Sequence, residues 1–172
     1  MRCSLYAVLV AGILALSPRP SWGQARFGIA GGLAVPVSDL ADDANLGYNI
    51  AASLNFGGTH VPIGARLEGA INVFKLKDFD DDARILDLTL NAIANIGQHP
   101  GSPYLIGGLG LYNSKVAAND SKNAVGMNIG GGLRFPVGDM TTFVEARYHL
   151  MFGNRTDLAN YQFIPITFGV VF

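Results

Sequence analysis

The chain has 172 residues, of which 49% are hydrophobic and 15% charged, and its net charge is -1. One domain with a full core fits that length, the charge density is low for a water-facing surface, and no basic patch supports nucleic-acid binding. The 22 glycines argue against a helical protein, since each costs about 1 kcal/mol relative to alanine inside a helix, and no apolar run reaches the roughly 20 residues of a spanning helix. A soluble all-β domain and a barrel that crosses a membrane with its strands remain.

The chain opens on a positive residue, Arg2, followed by an apolar run over residues 5–16, LYAVLVAGILAL, and then by small residues with Pro18 and Pro20. This order predicts a secretory signal over residues 1–23, with cleavage after Gly23 or Ala25, and a mature domain over 24–172. Cys3 lies inside the signal, too early for a lipoprotein attachment site. The mature chain is then expected to have neither a disulfide nor thiolate chemistry. Loss of Arg2 and Arg19 takes the net charge to about -3.

Eight alternating segments follow, each bounded by turn residues. The first covers 26–36, with Phe27, Ile29, Leu33 and Val35 on one face, and leads into a polar stretch, VSDLADDAN. Segment 46–56 places Tyr48, Ile50, Leu54 and Phe56 in phase and ends at a Gly57-Gly58 turn. Segment 62–75 carries Leu67, Ile71 and Val73, and an acidic loop over 77–83 follows it. In segment 84–98, Leu86, Leu88 and Leu90 at spacing two favour a strand, while residues 92–95 are also compatible with a helix. Segment 103–114, PYLIGGLGLYNS, has an ambiguous phase. Segment 124–137 carries Val125, Met127, Ile129, Leu133 and Phe135 and turns at Gly138-Asp139. Segment 142–152 carries Val144, Tyr148, Leu150 and Phe152.

The last segment, 161–172, reads YQFIPITFGVVF. Ile164, Ile166, Phe168, Val170 and Phe172 form one apolar phase, and Phe163, Pro165, Thr167, Gly169 and Val171 form the other. A bare apolar strand of this kind at a soluble sheet edge invites aggregation. A closed barrel in lipid needs such a strand, because it must pair with the first and leave no edge. The connections after segments two, four and six are short, and those after one, three, five and seven are longer and polar. An even strand number with short turns on one rim and longer loops on the other is the outer-membrane arrangement.

Volume assigns the faces. An eight-stranded barrel has an interior just wide enough for its side chains. The bulky apolar phase would crowd it, so that phase is expected to face lipid and the smaller, more polar phase the lumen. The second phase also carries the charges within strands: Arg66, Glu68, Asp87, Arg134, Glu145 and Arg147. A lone charge at bilayer depth costs several kcal/mol, so these residues should point inward and pair. If Val137 pairs with Thr142 across the Gly138 turn, Arg134 lies opposite Glu145. Opposite charges in similar number suit a lumen-filling ion-pair cluster better than an ion-selective path.

The terminal strand ending in Phe172, the PYLIGGLGLY segment, and GMNIGGGLRFPVG followed by TTFVEARYHLMFG together resemble the small outer-membrane barrels of the OmpA/OmpX-like superfamily. The resemblance covers residues 26–172. It implies an eight-stranded antiparallel up-and-down transmembrane β-barrel in a Gram-negative-type outer membrane, with a charged, plugged interior. It also implies that Ile164, Ile166, Phe168, Val170 and Phe172 form the signal read by the barrel-assembly machinery. Partners are expected to be that machinery, outer-membrane lipid and lipopolysaccharide, with the protein itself a monomer that binds no nucleic acid. The chain is expected to depart from the namesake by ending at the barrel, without its peptidoglycan-binding domain, and by lacking the very long loops of many adhesins.

No catalytic residue, cofactor or metal site is expected. A lipid A deacylase of this fold uses a histidine with a nearby serine; here Tyr148-His149-Leu150-Met151 has the histidine and no serine two residues on, so acyl transfer lacks a nucleophile. His60 and His99 fall in turns, without zinc spacing. Asp78, Asp80, Asp81 and Asp82 offer carboxylates but not the glycine-punctuated loop of an EF-hand. The expected role is structural or surface-interacting; a narrow channel or carrier for small solutes is the second reading and a lipid A-modifying enzyme the third.

Overall fold

The computed structural model describes residues 25–57, 62–77, 81–97, 99–116, 121–152 and 161–172. The signal over 1–23 lies outside the described residues. Eight strands follow in order: β1 Arg26–Val37, β2 Gly47–Phe56, β3 Ile63–Lys75, β4 Asp82–Asn95, β5 Ser102–Val116, β6 Lys122–Val137, β7 Met140–Phe152 and β8 Gln162–Val171. Each pairs antiparallel with its neighbour, and β8 returns to β1, so the sheet closes. The closing seam runs from Gly28 opposite Val171 to Val37 opposite Gln162. One bond beyond it, the Phe172 amide donates to the Phe27 carbonyl at 2.8 Å. In lipid, backbone groups have no water to turn to, and closure satisfies them within the sheet.

The period of two resolves the faces. Phe168 is 56% exposed and Leu88 52%, while Arg66 is 1% and Glu145 2% exposed. The bulky phase therefore forms an outer apolar wall and the charges lie inside. In β5, whose phase the sequence left open, Leu105, Leu109 and Leu111 face out while Tyr104, Ile106 and Tyr112 face in. Residues 92–95, compatible with a helix by sequence, belong to β4 and keep the strand alternation.

Three features depart from the expectations. First, the β6–β7 turn is tighter: Val137 pairs with Met140 rather than Thr142, with Gly138 at φ 62°. A two-residue hairpin turn asks for a left-handed backbone, which glycine adopts without a Cβ penalty. The tighter turn moves the register, so Arg134 lies opposite Phe143 and Glu145 opposite Gly132. Second, the polar stretch after β1 contains a short helix, α1 (Asp39–Asp43), which buries Leu40. Its connection is tied to the neighbouring loop by a bridge between Ala44 and Leu76 and by the Lys77 ammonium donating to the Ala41 carbonyl at 2.6 Å. Third, the interior is less uniformly small than its polar phase suggested. Phe74, Tyr104, Tyr112, Phe143 and Phe163 all point into it.

Glycine on β6 makes room for the two tyrosines. A Cβ on Gly126 would stand 2.7 Å from the Tyr112 ring, and one on Gly132 would stand 2.7 Å from the Tyr104 hydroxyl. The phase assignment has a direct energetic consequence. Phe168→Arg should destabilise the barrel by about 2–4 kcal/mol if position 168 lies near mid-bilayer depth. Reversible urea unfolding in lipid vesicles measures this.

Candidate functional site

The residues the sequence singled out converge on the barrel interior. Arg66 and Glu68 sit two apart on β3, and Glu145 and Arg147 sit two apart on β7. In a closed ring of eight antiparallel strands, β3 and β7 stand four apart, so they face each other across the barrel and run in the same direction. Co-directional strands bring Arg66 level with Glu145 and Glu68 level with Arg147. The Arg-x-Glu order on one wall is answered by Glu-x-Arg on the other.

The four side chains close a quadrilateral. Arg66 Nη1 donates to both Glu145 oxygens, at 3.2 and 2.9 Å. Arg147 Nη2 donates to Glu68. Arg147 Nε stands 2.8 Å from Glu145 Oε1, and Arg66 Nη1 stands 3.5 Å from Glu68 Oε2. Two guanidinium groups and two carboxylates cancel, and all four are buried. Further bonds hold them in place. The Tyr104 hydroxyl donates to Glu145. Asn55 Oδ1 accepts from Arg66 Nε at 2.9 Å, and the Phe143 ring lies 4.9 Å from the Arg66 guanidinium carbon. A buried ion pair offsets its desolvation only with such geometry and additional hydrogen bonds.

The other two predicted charges lie outside this quadrilateral. Asp87 is buried on β4, where its Oδ2 accepts from Asn72 Nδ2 at 2.9 Å; Asn72 Oδ1 in turn accepts from Asn49 Nδ2 at 2.6 Å. Arg134 sits at the short-turn end. It donates to Asn95 Oδ1 at 2.6 Å and stacks over the Tyr104 ring at 4.4 Å. Its expected pairing with Glu145 does not occur, because the tighter hairpin sets Arg134 opposite Phe143.

The interior is layered along the barrel. A pocket at the short-turn end, lined by Arg26, Asn55, Arg66, Arg134, Thr141 and Phe143, holds about 20 Å³, room for roughly one water. Beyond the ion pairs comes the Asn49–Asn72–Asp87 chain. At the loop end, Leu40 of α1, Phe74, Ile85, Met151 and Phe163 form an apolar layer. His149 lies beneath that layer. Its Nδ1 is 3.0 Å from the Tyr112 hydroxyl, and its ring stacks on Phe163 at 4.8 Å. Tyr161, at the loop rim, has its hydroxyl pKa raised by burial, with the Asp43 and Asp39 carboxylates adding to the effect.

Among the described residues, no group of three or more His, Cys, Asp or Glu could hold a metal ion. His60, Asp78 and Asp80 lie outside the described residues; Asp81, Asp82 and His99 are exposed. The supporting partners Tyr104, Asn55, Asn72 and Asn49 were not singled out from sequence. The reciprocal Arg-x-Glu and Glu-x-Arg on strands four apart was the available signal for the pairing.

A closed, eight-stranded antiparallel barrel with an apolar outer wall and charges inside defines the architecture, and the sequence matches the outer membrane protein beta-barrel domain over residues 6–172. The chain belongs to that family. Its location is the outer membrane of a Gram-negative bacterium. Among solved structures, Neisserial surface protein A is similar at 18% identity and a TM-score of 0.70, over 86% of this chain and 95% of that one. Ail, the attachment invasion locus protein of Yersinia pestis, is similar at 18% identity and a TM-score of 0.52, over 87% and 97%. The N-terminal β-barrel domain of Pseudomonas aeruginosa OprF is similar at 17% identity and a TM-score of 0.51, over 87% and 98%. At these identities the likeness is one of fold. No curated protein matches the sequence.

As a family barrel with a bridged interior, the protein should respond unequally to loss of its charges. Glu145→Ala leaves two buried guanidinium groups facing one carboxylate and should cost about 3–5 kcal/mol. Arg134→Ala, which removes one hydrogen bond and one ring contact near the rim, should cost no more than about 2 kcal/mol. Urea unfolding of both variants in one lipid system gives the comparison.

Proposed function

We propose that this barrel is a structural or surface-interacting component of the outer membrane, with its interior occluded by its own side chains and its longer loops facing outward. The single observation that carries this reading is the direct contact between opposite walls: Arg66 of β3 reaches Glu145 of β7 at 2.9 Å. A barrel bridged across its diameter leaves little width for a solute. The apolar layer under α1 adds a barrier that hydrated ions cross at high cost. Function then lies on the rim and outer wall rather than along the axis.

The interior also gives little support to catalysis. His149 is buried between Tyr112 and Phe163, and its imidazole is held by an aromatic hydroxyl rather than by an activated nucleophile. The protein works as a monomer surrounded by outer-membrane lipid and lipopolysaccharide. The assembly machinery reads Ile164, Ile166, Phe168, Val170 and Phe172; this reading is supported by their common outward phase on the strand that closes the barrel.

Planar-bilayer recording tests the proposal. The folded protein should give no steady conductance, and at most rare small openings. Steady, ohmic conductance at the single-molecule level would favour a channel, and altered acylation of lipid A in mass spectra of expressing cells would favour an enzyme.

A further inference from the structure

Near the loop end of the outer wall, the register stacks three chemistries in order. Arg84 on β4 stands directly opposite Lys115 on β5, both exposed and both on the outward phase. One step toward mid-membrane, Leu86 is level with Asn113 and Asn123, whose amides bond at 2.7 Å. One step further, Leu88, Leu111 and Val125 are level and exposed. Leu86, Leu88, Leu111, Asn113, Asn123 and Val125 line an open groove on the outer wall.

Two cations directly opposite each other on antiparallel strands repel, since their Cβ atoms are only about 5 Å apart. Among the described residues neither Arg84 nor Lys115 has an ion-pair partner. Asp82 shares their face two residues along β4, but it lies directly opposite Lys75. An anion placed between Arg84 and Lys115 would turn the repulsion into two charge-assisted contacts.

We infer that this strip of β4, β5 and β6 binds a phosphorylated glycolipid of the outer leaflet. The phosphate lies between Arg84 and Lys115, the sugar hydroxyls meet the Asn113–Asn123 amides, and the acyl chains lie along Leu88, Leu111 and Val125. The spacing fits. Successive levels are two residues apart, about 7 Å along a strand, so the cations stand about 14 Å from the leucine level. An amphiphile with its anionic group at the water boundary and its chains below has the same order. A free phosphate ion would use only the top level. The inference rests on the proposed orientation, with the longer loops outward.

The experiment uses the full folded barrel in detergent micelles and native mass spectrometry with diphosphoryl lipid A, fully dephosphorylated lipid A and inorganic phosphate as separate probes. Arg84→Gln/Lys115→Gln should lose about ten-fold or more in affinity for diphosphoryl lipid A. Binding of the dephosphorylated lipid should not change, and inorganic phosphate at the same concentration should not compete. Heat-modifiable migration confirms that the double variant is folded. Equal losses for both lipids, no loss for either, or full competition by inorganic phosphate would each overturn the site. Orientation is read separately with Asp81→Cys and a membrane-impermeant maleimide on intact cells, Cys3 being the sole native cysteine. Labelling with no loss of lipid affinity defeats the glycolipid site alone. Absence of labelling defeats the orientation, and with it access to the outer leaflet.

Discussion

The structure depends on one constraint: inside a bilayer no backbone amide or carbonyl can be left to water, so the sheet must close on itself. Eight strands meet that demand when β8 pairs with β1 along ten register positions. The small barrel that results has an interior only as wide as its side chains. Everything the inward phase carries is therefore pressed together. The contact of Arg66 and Glu68 with Glu145 and Arg147 follows from closure, because β3 and β7 are opposite walls of a narrow cylinder.

The inward-facing side chains make three kinds of interaction, each suited to its depth. A neutral quadrilateral of charges occupies the end nearer the short turns, amide and carboxylate hydrogen bonds the middle, and aromatic and aliphatic packing the loop end. Net neutrality matters in the first of these, because an unmatched charge at that depth would be costly. Tyr104 ties the quadrilateral to the short-turn rim, since its hydroxyl bonds Glu145 while its ring lies under Arg134. The glycines of β6 leave the space such rings need. Outside, the same closure turns the bulky phase into a continuous apolar wall, interrupted near the loop rim by the Arg84–Lys115 pair.

Much of this was legible in the sequence, for a physical reason. A strand has a period of two, so residue size and polarity on alternate positions report the faces directly, as Leu86, Leu88 and Leu90 did against Asp87. Strand count followed from the spacing of Gly, Pro and Asp. Four things were hidden. Turn length at Gly138-Asp139 set the β6–β7 register, and a shift there changed which residue faces Glu145. The partner of a lumen charge lies across the barrel, and a hairpin-by-hairpin reading finds only neighbours. Helix α1 is five residues long, too short for periodicity to register, and its Leu40 is held by tertiary contacts. In β5, glycines at 107, 108 and 110 blurred the phase, and only packing decided that the tyrosines turn inward.

The most direct test of the central claim is a spin-label accessibility scan of the last strand in lipid vesicles, with single cysteines placed in turn at positions 164–172. A wall with its bulky phase in lipid predicts high oxygen accessibility at 166, 168 and 170 and low accessibility to both oxygen and a polar nickel reagent at 165, 167 and 169. The opposite phase, or a scan without a period of two, would contradict it.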